Sequence, residues 1–203
     1  MDDNLLIKVR DISIKHGISN LTYENLARHL ALDVIELKKL FPNLQSLVEN
    51  LLKSEREAFN SIFDKYSFDG INAIDILLTV SSEINSRFNE LSPSFSHELK
   101  ELYPEVYQKH MESRIDFIFE KIKINIQKGI AQGLYRDDLS IELLSRIYIS
   151  RLIDMHNPLF FPPDKFSFKL LFEVMFENFI RGIATDEGLK YFTVRVKELK
   201  KVV

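Results

Sequence analysis

The chain contains no cysteine, which excludes disulfides, thiolate metal sites and cysteine nucleophiles, although that absence does not fix a compartment. It also lacks any uninterrupted apolar run of about 18 residues, the length that reads as a membrane-spanning helix. No charged-then-apolar leader follows the opening Met-Asp-Asp, so the expectation is a cytoplasmic protein with no membrane partner. The sequence carries no phosphate-binding Gly-rich loop, no Gly-x-Ser-x-Gly elbow and no His-Glu-x-x-His pair. No Glu is followed three residues later by His, so a carboxylate-bridged metal bundle has no ligand set. Isolated neighbours such as His97 and Glu98 read as solvated surface. Tandem repeats and low-complexity tracts are missing as well. These absences together predict a protein that is not an enzyme, with no cofactor and no metal site.

What is present is a long apolar inventory at helical spacing. The chain has 203 residues, 45% of them apolar, and a formal charge of −3, enough to bury a real core and far from a non-specific polycation. Strand signals are sparse, and an all-α fold is expected. Leu5, Val9, Ile12 and His16 fall on one face of a first helix, and Gly17 stands where a left-handed C-cap is needed. Thr22 is placed to cap a second helix that buries Leu26, Ala27 and Leu30, with Glu24 in its first turn where the dipole favours an acid. After a turn of about three residues, Asp33 and Glu36 form an Asp-x-x-Glu start to a third helix with Leu37, Leu40 and Phe41 on its apolar side, and Pro42 closes it. Two helices joined by so short a turn must cross, which leaves an outer face able to enter a major groove.

Gly17, Thr22, Leu26, Ala27, Leu32, Leu37, Phe41, Pro42 and Leu47 match the pattern of a known helix-turn-helix head. Gly129, Gly133, Leu134, Tyr135 and Arg136 match its Gly-x-x-x-Gly-Leu segment before an acidic turn, and Asn178 to Gly188, with Gly182 and Gly188, matches a late-helix pattern. The sequence thereby resembles the TetR family of bacterial transcriptional regulators. The resemblance implies an N-terminal three-helix DNA-binding head over residues 1–48, followed over residues 49–203 by a larger helical domain for ligand binding and dimerisation. It departs from the family pattern at Ala31, where the turn usually has Gly, at Lys38 in place of Tyr, at Leu44 in place of a phosphate-contacting Lys, and at Ser13 in place of a large apolar residue.

Val34, Ile35, Lys38 and Lys39 are the candidates for contact with DNA bases or phosphates, and Thr22, Tyr23 and Arg28 for positioning the backbone. Phosphate neutralisation dominates DNA affinity, yet residues 1–56 carry eight basic against eight acidic side chains. Affinity then rests on local placement and on two copies binding together. Asp33 and Glu36 read as helix caps. The competing reading is a helical binding module of the same type that has lost DNA recognition and acts through ligand or protein contacts. Lys38 and Lys39 projecting outward with Arg28 would favour the first reading, and a face dominated by Asp33 and Glu36 the second.

Beyond the head, the spacing predicts a linking helix over Leu44 to Tyr66, an amphipathic stretch over Ile74 to Leu91, and a break at Ser92, Pro93 and Ser94 before a short helix. Pro104 either opens the next helix or kinks a continuous one. Further helices are predicted over Glu105 to Gln132, Leu139 to His156, Phe166 to Ile183 and from about Glu187 onward. The helices containing Leu143, Leu144, Ile147, Leu171, Met175 and Phe179 carry more apolar surface than one face needs. The resemblance implies that they pair with their copies in a homodimer, and Leu144, Ile147, Leu171, Met175 and Phe179 are the candidate interface residues. A small-molecule effector, apolar or amphipathic, is expected to bind among aromatic and neighbouring side chains. Phe88, Tyr103, Tyr107, His110, Met111, Phe117, Tyr148 and Met155 are the candidates, with Phe95, Phe160, Phe161 and His156 beside them. Its binding would shift the relative angle of two heads on their half-sites and release an operator in double-stranded DNA.

Overall fold

The first helix, α1 (Asp3–His16), ends at Gly17 as the sequence predicts, although φ +84° with ψ 156° is an extended conformation and not the left-handed helical cap expected. A single 3-10 turn over Ile18–Asn20 leads to α2 (Tyr23–Leu30). Thr22 caps α2, its Oγ1 accepting from the Asn25 amide at 3.2 Å, and Asp33 caps α3 (Val34–Leu40), its carboxylate accepting from the Ile35 amide at 2.6 Å. Both caps satisfy amides that a helix N-terminus leaves without partners. Residues 3–66, 68–88, 93–155, 157, 159–162 and 164–199 are described by this computed structural model. The side chains of Phe88 and Phe95 and the whole of His156 lie outside the described part.

The remaining elements are α4 (Leu44–Lys65), α5 (Ala73–Phe88), α6 (Pro93–Leu102), α7 (Pro104–Ala131), α8 (Ile141–Asp154), α9 (Phe168–Ile183) and α10 (Asp186–Leu199). Among the described residues the fold is all-α, with one isolated bridge between Tyr135 and Ala184. Pro104 opens α7, and Pro93 is the first residue of α6 rather than part of a break before it. Proline fits both places because the first helical amide has no partner to lose. Three helices begin at a cap that was not expected. Ser140 Oγ accepts from the Leu143 amide at 3.3 Å, Ser167 Oγ from that of Leu170 at 3.2 Å, and Thr185 Oγ1 from that of Gly188 at 3.1 Å. Those caps move the starts of α8 and α9 two residues past the expected points, because the hydroxyl is a better boundary marker than the apolar period.

The chain divides into two compact units, residues 1–61 with 90–114 and residues 62–89 with 115–203. The boundary expected after residue 48 marks the end of the three-helix head, whereas these units are set by packing. In the first unit, Leu6, Val9, Ile18, Leu26, Leu37, Phe41, Leu47, Leu51 and Leu99 form one buried cluster against which Leu32, Tyr103 and Tyr107 pack. Ser13, at the position where a large apolar side chain was expected, is fully buried and donates to the Val9 carbonyl at 2.7 Å. In the second unit, Phe172, Phe176, Ile180, Ile183 and Phe192 are buried. There the chain after α7 turns at Gly133 (φ +71°) and passes between two other glycines. A Cβ at Gly129 would lie 2.0 Å from the Tyr135 ring, and one at Gly188 2.1 Å from the Leu134 carbonyl oxygen. Nothing larger than hydrogen fits at either position.

Candidate nucleic-acid interface and ligand cavities

On α3 the only fully buried side chain is Leu37. At 100° per residue, Ile35 and Lys39 lie opposite it, with Lys38 and Glu36 on the two flanks. Ile35 is 64% exposed and Leu40 47% exposed, so α3 offers apolar surface to whatever docks on its outer side. Lys38, Lys39 and Arg28 are all exposed, and so are Asp33 and Glu36. Asp33 is held in its capping bond, which leaves Glu36 as the acid flanking the outward face. Lys38 Nζ sits 5.4 Å from the centre of the Tyr23 ring, a cation–π distance. Val34 is half-buried.

The backbone-positioning candidates are partly committed elsewhere. Tyr23 donates its hydroxyl to the Phe41 carbonyl at 2.6 Å, tying the start of α2 to the end of α3, and burial raises its pKa. Thr22 uses an oxygen lone pair in its cap and keeps a hydroxyl proton to donate. Glu98 of α6 accepts from the Ser19 amide at 2.9 Å and the Ser19 hydroxyl at 2.8 Å. Those bonds hold the Glu98 carboxyl below its usual pKa, the Ser19 amide contributing most. Sequence reading placed Glu98 on solvated surface. Its role as a clamp came from a fold contact 79 residues away.

Two cavities lie among the described residues. In the first unit a cleft of about 410 Å3 is lined by Gln45, Glu49, Asn50, Leu52, Lys53 and Arg56 of α4 and by Glu105, Val106, Lys109 and His110 of α7. In the second unit a groove of about 700 Å3 runs between α5, α9 and α10. Phe176 and Phe192 are its buried apolar members, and Ser81, Ser82, Asn85 and Ser86 face it from α5. The Asn85 side-chain oxygen is buried with no hydrogen-bond partner among the described residues.

The candidate ligand residues do not converge on either cavity. Tyr103, Tyr107, His110 and Met111 belong to the first unit and Phe117, Tyr148 and Met155 to the second. Of these, His110 lines the first of the two cavities. Phe117 packs edge-on against Phe63 at 5.4 Å, Tyr148 lies 4.6 Å from the Phe179 ring, and Met155 is buried. Of the candidate interface residues, Ile147 is exposed, Leu144, Leu171 and Phe179 are half-buried and Met175 is buried. The exposed stripe is completed by Leu143 on α8 and by Leu170 and Val174 on α9, which are 60%, 47% and 51% exposed. Among the described residues no group of acids and histidines could hold a metal ion, and no helix is long and apolar enough to cross a membrane.

No protein-family model and no curated protein matches the sequence. Solved structures do match in fold. A protein from Saccharomonospora viridis assigned to transcriptional regulation, in complex with choline, is 14% identical, with a TM-score of 0.72 over 89% of this chain and 96% of its own. A TetR-family regulator from Agrobacterium tumefaciens is 13% identical, with a TM-score of 0.71 over 90% and 97%. PfmR, a TetR-family regulator from Thermus thermophilus, is 18% identical, with a TM-score of 0.66 over 87% and 97%.

Proposed function

From a chain with the fold of the TetR-family transcriptional regulators, we propose a homodimeric DNA-binding repressor that a small molecule releases from its operator. The observation that carries the DNA half is the outward face of α3. An exposed Ile35 beside exposed Lys39, on a short capped helix, offers an apolar contact for a thymine methyl and a cation for phosphate or guanine. Lys38 and Arg28 supply further positive charge at exposed positions. A neutral head gains little from long-range attraction, so two heads on two half-sites carry the affinity. The exposed apolar stripe of Leu143, Ile147, Leu170 and Val174 supports pairing of α8 and α9 with their copies.

The groove of the second unit supports an amphipathic effector. Its phenyl floor accepts apolar surface, and the unpartnered Asn85 oxygen accepts a hydrogen bond from a ligand donor. The choline bound by the Saccharomonospora viridis neighbour is a small molecule of that general kind. Release follows if the effector favours a conformation whose two heads no longer fit their half-sites.

Fluorescence anisotropy tests the DNA reading, with duplex from the region upstream of the protein's own gene and a scrambled duplex titrated across salt. The expected result is tighter, salt-sensitive binding to the first duplex. Equal or absent binding to both favours the binding module that no longer reads DNA.

A further inference from the structure

Gly129, Gly182 and Gly188 lie inside helices, and two of them are accounted for by what passes over them, the Tyr135 ring at Gly129 and the Leu134 carbonyl at Gly188. Gly182 of α9 is the exception. It is exposed, and no described atom lies within 4 Å of the place a Cβ would take. Glycine weakens a helix relative to alanine, and nothing within the chain requires one there. Gly182 shares its face with Leu170, Val174 and Asn178, each four residues from the next, and all of them are exposed. They form one ridge along α9 with a gap at Gly182 where a second backbone can come close.

Charge and area both favour a copy of the same surface as the occupant. A two-fold contact brings a patch against itself, so a patch of one sign would repel its copy. α8 carries two acids and two bases, and α9 likewise. Glu142 pairs with Arg146 at 3.1 Å and Glu177 with Arg181 at 2.8 Å, each within its own helix. A homodimer contact takes about 800 Å2 from each partner, roughly 65% of it apolar, or about 500 Å2. At about 200 Å2 for a fully exposed large apolar side chain, the exposed fractions of Leu143, Ile147, Leu170 and Val174 supply about 400 Å2. The connection between α8 and α9 makes up the difference. There Leu159 is 88% and Phe160 63% exposed, in a loop with its own hydrogen bonds. Asn157 Oδ1 accepts from the Leu159 amide at 3.0 Å, and the Asn157 carbonyl accepts from the amides of Phe160 at 3.1 Å and Phe161 at 3.0 Å.

We propose that a second copy of this chain covers this face, with α9 crossing its counterpart at Gly182, where the two backbones come closest, and with Leu159 and Phe160 carrying the contact past the helix ends. The inference rests on the homodimer reading and goes beyond it in naming the crossing point and the loop. Ridges of four-residue spacing interdigitate when helices cross at about 50°, and a glycine at the crossing brings the axes to about 8 Å, the near end of the usual range. A side chain at residue 182 would stand between the two backbones and hold the flanking apolar residues apart.

Sedimentation equilibrium on the full chain without DNA, over a range of protein concentrations, tests the proposal. Gly182→Leu fills the gap twice in a two-fold contact and should raise the Kd of the dimer by roughly a hundredfold. Far-UV circular dichroism of the same variant should show no loss of helix, because leucine favours a helix over glycine. Leu159→Ser should raise the Kd by about tenfold, while Val194→Ser, at a 53% exposed position of α10, leaves it unchanged. A dimeric wild type whose Kd is unaltered in Gly182→Leu or in Leu159→Ser overturns the proposal and leaves the homodimer reading standing. A wild type that stays monomeric at every concentration overturns both.

Discussion

The turns at Ala31 and at Gly133 end their helices in the same left-handed backbone region with different residues, at φ +54° and +71°. Glycine adopts that region freely, whereas an L-residue with a Cβ loses roughly 1–2 kcal/mol there. The helix-turn-helix accepts that cost because other bonds determine its turn. The Leu32 amide reaches back to the Ala27 carbonyl at 3.1 Å, Asp33 caps α3, and Tyr23 ties α2 to Phe41. At Gly133 the residue itself provides the turn, and the segment after it is fixed by close passage beside Gly129 and Gly188. One turn is held by its neighbours and the other by its own sequence.

Substitutions can break that contrast, and the largest effect belongs to the glycine passage. Gly188→Ala places a methyl against the Leu134 carbonyl and should cost about 3 kcal/mol by urea denaturation. Acid should next weaken the first unit through His110. Burial, followed by the nearby Arg114 and Arg56, holds its pKa in the folded chain at about 3 against the usual 6.5, so between those values the unfolded chain binds more protons. The stability that the neutral imidazole contributes is complete above pH 6.5 and is lost as pH falls toward 3. Glu55, whose pKa is raised by burial, works in the opposite sense, because its contribution diminishes as pH rises through the carboxylate range. Unfolding free energies of the wild type and His110→Gln should therefore converge on acidification from 6.5 toward 3. A constant difference would show that the imidazole is not buried in its neutral form.

The mirror pair Gly133→Ala and Ala31→Gly gives smaller effects of opposite sign. Gly133→Ala meets no atom within 4 Å, so its destabilisation, about 1 kcal/mol, measures backbone strain alone. Ala31→Gly relieves the same strain and widens the unfolded ensemble, for a net gain of about 0.5 kcal/mol in thermal denaturation. Destabilisation in both variants would mean that Ala31 is not strained where it stands.

These contrasts also mark what could be read from the sequence. Thr22, Asp33 and Gly17 act within a few residues, so their chemistry fixed the head's helix ends directly. Pro104 left two options that differ in tertiary context, and only the fold chose between them. The cavities were illegible for a different reason. An aromatic on a helix declares that something covers it without saying whether that is protein or ligand, and the neighbours of Phe117, Tyr148 and Tyr107 are visible only in the fold. The groove-lining Ser81, Ser82, Asn85 and Ser86 look like an ordinary polar face in sequence. The one available signal was a run of polar side chains, Ser81, Ser82, Asn85 and Ser86, in the second half of a helix whose first half is apolar. Glu98 carried none, since its partner Ser19 is remote in the chain.

The most direct test of the central claim, that the outer face of α3 meets DNA, is the salt dependence of binding in Lys38→Ala with Lys39→Ala. The account predicts weaker binding, with the salt slope reduced by about 1 for each lysine–phosphate pair that the substitutions remove, while circular dichroism and sedimentation stay as in the wild type. Unchanged affinity and slope would contradict it, and would assign the exposed face of α3 to something other than DNA.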